Sequence, residues 1–293
     1  MNETPIRYSQ ALVTCDWLEA HLDDPDLVIF DCTVYLVQSD MVGQPYDVIS
    51  GRADYDKDHI PGSGFLDLQK DFSNADSRYR FTLPTMQDAA AAFARHGIGT
   101  DKRVVLYSRK NIQWATRFWW MLRWLGFDNA AVLNGGYDKW VADGRAISTD
   151  ECHYGPGELP INPKPELFVG KDAVAAAIGD KDVCTINALA PDLHRGENLR
   201  YGRPGRVPGS VNVPAASLLD TETQEILPRE RVMQTFAVAG AGPTKRIIAY
   251  CGGGIAATLD AFLLHELGYR DIAVYDNSMS EWANDKSLPI EID

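Results

Sequence analysis

KRVVLYSRKNIQWATRFWWMLRWLGFDNAAVLNGGYDKW, residues 102–140, returns in altered form as KRIIAYCGGGIAATLDAFLLHELGYRDIAVYDNSMSEW, residues 245–282. Each copy opens with Lys-Arg and a short β-branched run ending in tyrosine. A loop follows, then an apolar helix closing on Leu-Gly-aromatic, a second apolar strand and a late tryptophan. The first copy holds one extra residue after its tyrosine. Upstream, His59-Ile60-Pro61-Gly62-Ser63 echoes Arg206-Val207-Pro208-Gly209-Ser210, and Val28-Ile29-Phe30-Asp31 echoes Cys184-Thr185-Ile186-Asn187. One duplication predicts two homologous domains, because a solenoid needs at least three repeats.

Within each copy, short β runs alternate with helices. That alternation predicts an α/β fold, with a mainly parallel sheet flanked by helices in each domain. Gly97 and Gly99, and their counterparts Gly240 and Gly242, stop a helix just before a strand. Pro and Gly cluster and periodicity is lost over residues 151–166. The expected division is therefore 1–150, a linker at 151–166, and 167–293.

The 293 residues give material for two cores, and 45% apolar with 24% charged residues is the profile of a globular protein. A formal charge of -13 argues against nucleic-acid or anionic-membrane binding. The first ten residues lack a basic stretch followed by an apolar run, so no signal peptide is expected. The most apolar stretch, 118–127, is too short to span a bilayer and holds Arg123, so it reads as a buried helix. Cys15, Cys32, Cys152, Cys184 and Cys251 form no C-x-x-C pair and the histidines no ligand spacing. Reduced thiols, a cytoplasmic location and no metal are expected.

Cys251 follows the strand run Ile247-Ile248-Ala249-Tyr250 and precedes Gly252-Gly253-Gly254, after which Ile255-Ala256-Ala257-Thr258-Leu259 reads as helix. Ligands bind at this edge of open α/β sheets. Unpaired N–H groups of a tight loop and a helix start stabilise negative charge on sulfur. Glycines let the backbone close around that sulfur, as a persulfide requires. A P-loop would need Lys-Ser/Thr where Ile255-Ala256 stands. A C-x5-R phosphatase would need arginine where Ala257 stands.

Three motifs resemble the tandem-domain rhodaneses, a family that includes thiosulfate and 3-mercaptopyruvate sulfurtransferases. They are Gly202-Arg203-Pro204-Gly205-Arg206-Val207-Pro208-Gly209-Ser210-Val211-Asn212, the loop Cys251-Gly252-Gly253-Gly254-Ile255-Ala256, and Tyr275-Asp276-Asn277-Ser278-Met279-Ser280-Glu281-Trp282. The resemblance spans nearly the whole chain. It implies an anionic sulfur donor, a persulfide on Cys251, and transfer to cyanide or a thiol such as thioredoxin, without metal or organic cofactor. The loop residues 252–256 would bind substrate. The resemblance also implies a catalytically silent first domain, and Ser108 does stand there in place of the cysteine. An alternative is a non-catalytic persulfide carrier or regulatory protein loaded by a partner.

The sequence departs from the family pattern in charge. Thiosulfate-preferring members carry basic residues in the loop, whereas this loop has none and leans to the mercaptopyruvate type, although Ala256 stands where that group has threonine. Asn187, Leu189 and Leu193 occupy the usual places of substrate-binding D-x-R and arginine. Nearby lie His194, Arg195, Arg200, Arg203 and Arg206. Arg203 and Arg206 are the expected replacements, each able to fork onto a carboxylate or sulfonate. Arg52, Arg109 and Lys110 of the first domain come next.

Overall fold

The computed structural model describes residues 11–39 and 45–293; the signal-peptide reading of residues 1–10 lies outside them. The strands are β1 (Leu12–Val13), β2 (Leu27–Asp31), β3 (Val34–Gln38), β4 (Tyr46–Ser50), β5 (Ser63–Phe65), β6 (Arg103–Tyr107), β7 (Ala130–Leu133), β8 (Phe168–Val169), β9 (Val183–Asn187), β10 (Val211–Asn212), β11 (Arg246–Tyr250) and β12 (Ile272–Tyr275). β1, β7, β6, β2 and β5 form one sheet in that order; β8, β12, β11, β9 and β10 form the other. All pairs within the two sheets are parallel. Corresponding strands thus occupy corresponding places, as the duplication requires. The register agrees: Asp31 lies opposite Tyr107 and Asn187 opposite Tyr250.

The motifs shared by the two halves do the same structural work. The Tyr107 hydroxyl lies 2.9 Å from Ser63 Oγ and accepts from the Ile60 amide. The Tyr250 hydroxyl lies 2.8 Å from Ser210 Oγ and accepts from the Val207 amide. These buried phenols hold the Pro-Gly turns onto the central strands, and each finds the polar partners that burial demands. Trp140 and Trp282 each donate to a carbonyl of the following segment, Ala146 and Pro289.

The stretch 118–127 is buried, within the helix Gln113–Trp124 and the turn after it. This helix packs on the helix Ala256–Glu266 of the other half. Thr116 and Thr258, equivalent in the repeat, meet hydroxyl to hydroxyl at 2.9 Å. Trp119 stands edge-on to Phe262 at 4.9 Å. Apolar residues nearly all round both helices are buried, some in this seam and some against the sheet each helix flanks. Residues 151–164 carry no helix or strand, yet they are tied to the first half, with Tyr154 Oη accepting from the Ile29 amide and the Asn162 amide donating to Leu125. The antiparallel hairpin of β3 and β4 was not foreseen and has no counterpart in the second half, where the helix Pro191–Arg195 stands.

Candidate active site

Cys251 lies one residue beyond β11, and the helix Ala256–Glu266 begins five residues later. Its amide donates to Ser278 Oγ at 2.9 Å, and Ser278 in turn donates to the Tyr275 carbonyl. Three of the loop carbonyls, those of Cys251, Gly252 and Gly254, are drawn outward. Cys251 O accepts from the Met279 amide, and Gly252 O accepts from both the amide and hydroxyl of Ser280. Gly254 O accepts from Arg117 at 3.1 Å. The Gly252, Gly253, Gly254 and Ile255 amides have no protein acceptor among the described residues. A loop with its carbonyls tied back and its N–H groups open is an anion cradle at a helix start. Gly254 is required, with φ +70° and the Asp276 carbonyl against it, and a Cβ on Gly252 would displace the Tyr201 ring.

Ser108, in the first copy, faces a loop that is already filled. Its hydroxyl donates to the Asn111 carbonyl at 2.6 Å, and the Lys110 amide donates to the Asp138 carboxylate. Asp138 occupies the position of Ser280, so a carboxylate stands where the second half leaves its amides open. Burial also pushes the other thiols up, Cys15 to about 11, with Cys32, Cys152 and Cys184 raised in the same direction. None of these four sits in a comparable cradle, and all five cysteines are free thiols.

A cleft of about 670 Å³ opens on Cys251, Gly252, Gly253, Ile255 and Ala256, walled by the β3–β4 hairpin and by Trp114, Leu189 and Tyr201. Lys110, Arg109 and Arg200 also line it. Arg203 and Arg206 do not, which corrects the expectation for both. All three guanidinium nitrogens of Arg203 donate, in four bonds, to the carbonyls of Trp282, Ala283, Asp285 and Leu288. Arg206 pairs with Glu291 and, at 2.6 Å, with Asp293. Both guanidiniums fasten the C-terminal tail, whose carbonyls occupy Arg203 and whose carboxylates neutralise Arg206. Arg195 pairs with Glu197, and Arg52 with Asp56 and Glu151, outside the cleft. His194 contacts Asn187, and its pKa falls to about 4 through burial and Arg206. Arg109 is held by Asp58 at 2.8 Å and lies over the Tyr137 ring. Lys110 and Arg200 form no ion pair among the described residues and bring net positive charge to the cleft.

Three contributors were not foreseen. Arg117 is fully buried and joins the halves, donating to Gly254 O, to Phe81 O at 2.8 Å and to Asp276 at 2.6 Å. Tyr46 and Tyr201 stand over the glycines of the loop. Burial raises the Tyr46 phenol to about 12, so it is a hydrogen-bond donor at neutral pH.

The chain matches the family model of the rhodanese-like domain over residues 14–143 and 192–285. It belongs to the rhodanese family. The chain is 31% identical over 288 residues to a probable 3-mercaptopyruvate sulfurtransferase of Pseudomonas aeruginosa, covering 96% of this chain and 98% of that one. It is 28% identical to the sulfur carrier protein TtuD of Thermus thermophilus, with 97% of both chains covered. The crystal structure of SseA, a 3-mercaptopyruvate sulfurtransferase of Escherichia coli, superposes with a TM-score of 0.77 at 28% identity, over 92% of this rhodanese and 99% of SseA. This rhodanese is accordingly a sulfurtransferase, built from two α/β halves of the same kind.

Proposed function

We propose that Cys251 takes a sulfane sulfur from a small anionic donor as a persulfide and passes it to a thiophilic acceptor, cyanide or a thiol. The observation that carries this is the row of open amides from Gly252 to Ile255 around the cysteine. The Cys251 thiolate attacks the outer sulfur of the donor. A new S–S bond forms while the donor's bond to that sulfur breaks, releasing sulfite from thiosulfate or pyruvate, once protonated, from 3-mercaptopyruvate. The amides hold the Cys–S–S⁻ charge in a site largely closed to water, where such dipoles act most strongly. The uncharged loop and the names of the relatives favour 3-mercaptopyruvate. In this reading Lys110 and Arg200 meet the donor's carboxylate, residues 1–150 form the silent half, 151–166 the strap and 167–293 the catalytic half. No described helix is long and apolar enough to cross a membrane. Free thiols fit a reducing compartment, and we assign the reaction to the cytoplasm.

Incubation with donor alone should add one sulfur, about 32 Da, to the intact mass. Cyanide should remove it, and Cys251→Ser should take up none. Lys110→Ala and Arg200→Ala should each slow loading by 3-mercaptopyruvate about ten-fold, the kinetic equivalent of about 1.4 kcal/mol. Uptake at another cysteine would refute the assignment. Loading only from a persulfidated protein, with none from either small donor, would support the carrier alternative instead.

A further inference from the structure

A second cavity, of about 540 Å³, lies directly behind Tyr46 and Tyr201. These two side chains line both cavities and form the partition between them. Both halves contribute to its walls: Gln69, Arg78 and Arg80 come from the first, Ser280 and Asn284 from the second. Ser280 is the residue that clasps Gly252, and the Arg80 carbonyl lies 3.8 Å from a Cβ placed on Gly253. The chamber therefore abuts the cysteine loop.

Its chemistry is specific. Arg78 lies over the Tyr79 ring and bonds its hydroxyl. Neither Arg78 nor Arg80 forms an ion pair among the described residues. In a chain of charge -13, two arginines without carboxylates on one wall are a place for an anion. Gln69 Oε1 is buried and has no hydrogen-bond partner. A buried acceptor left unpaired is costly, so a ligand that offers an N–H is favoured there.

We infer that this chamber binds the acceptor, a small thiol bearing a carboxylate and an amide or ammonium N–H, separately from the donor cleft. The inference rests on the sulfurtransferase reading proposed above. The carboxylate sits at Arg78 and Arg80, the N–H meets Gln69, and the thiol passes between Tyr46 and Tyr201. Its thiol hands its proton to the outer sulfur of the Cys251 persulfide, Cys–S–S⁻, and attacks that sulfur as the thiolate. One S–S bond forms to the acceptor, the bond to Cys251 breaks, Cys251 leaves as thiolate, and the proton stays on the transferred sulfur. There is no net oxidation.

The test compares wild type with R78A/R80A, whose side chains are at the surface. Persulfide-loaded protein is discharged in single turnovers by glutathione, 2-mercaptoethanol or cyanide. S-methylglutathione, which cannot react, is titrated calorimetrically in parallel. The double variant should lose ten-fold or more in the glutathione rate and in S-methylglutathione affinity, with donor loading and the other two acceptors changed less than two-fold. Unchanged S-methylglutathione binding, or equal slowing with all acceptors, would overturn the inference. Failure of the wild type to take up sulfur would instead defeat the sulfur-transfer reading, and the calorimetry would still decide the chamber.

Discussion

Arg117→Met should weaken both the fold and the cysteine loop. The guanidinium is fully buried and makes three bonds, to Gly254 O, Phe81 O and Asp276, at 3.1, 2.8 and 2.6 Å. Asp276 is 12% exposed in its side chain, so it would keep a charge with little water to solvate it. Removing one partner of such a pair costs about 3–5 kcal/mol. At about 2.1 cal/mol/K per residue, the unfolding entropy of this chain is about 0.6 kcal/mol/K, so Tm should drop by about 5–8 °C. Gly254 O would lose its tether and turn toward the sulfur, so persulfide loading should fall about ten-fold or more. Calorimetry and single-turnover mass spectrometry read the two effects. Arg117→Met/Asp276→Asn removes the stranded charge and should recover about half of the Tm loss while loading stays slow. A Tm within about 1 °C of wild type in Arg117→Met, or no recovery in the double variant, would refute this reasoning.

Asp260 is fully buried with neither carboxyl oxygen bonded, and burial holds its pKa well above the carboxylate range. The folded chain keeps a proton that the unfolded chain releases near pH 3.9, so stability is full below that pH and falls as pH rises, by up to about 1.4 kcal/mol per unit. Asp260→Leu, which matches the apolar Phe118 of the first half, should raise Tm at pH 8 and flatten its slope between pH 5 and 8; an unchanged slope would show that Asp260 is solvated. Ser108→Cys in a Cys251→Ser background should gain no sulfur from donor by intact mass, because Asp138 already fills the loop; a gain of about 32 Da would show that the first half lacks only its thiol.

Much of the fold was legible because it is written locally. Strand runs, Pro-Gly turns and glycine stops are short-range signals, and their recurrence with one residue of slippage forced the two halves into the same strand order. The setting of Cys251 was legible for the same reason, since strand, glycines and helix are contiguous. The charge of the site was not legible, because proximity in sequence is not proximity in space. Arg203 and Arg206 are close to the site along the chain, but the positive φ of Gly202 and Gly205 carries that segment against residues 282–293. The acidic ending, with Glu291 and Asp293, was the available signal that Arg206 had another partner. Arg117 was hidden inside the apolar run that marked its helix as buried. A fully buried arginine must have partners, and those of Arg117 lie in the other half at Gly254 and Asp276 as well as at Phe81. Tyr46 had no local signal, because a hairpin found in only one half carries it across the interface.

The asymmetry of the repeat follows from how each loop satisfies its own polar groups. In the first half, Ser108, Asn111 and Asp138 close the loop on itself, leaving nothing for a ligand. In the second half, Ser280 replaces the carboxylate, and its hydroxyl turns to the Gly252 carbonyl, so the amides remain open. An open loop needs its carbonyls fixed from outside, and Arg117 of the first half supplies that hold at Gly254. The same half sends Tyr46 over the glycines and Lys110 to the cleft wall. The half that lacks Cys251 is therefore part of the candidate site, and a second domain expressed alone would lack the Gly254 tether, one phenol and one cation.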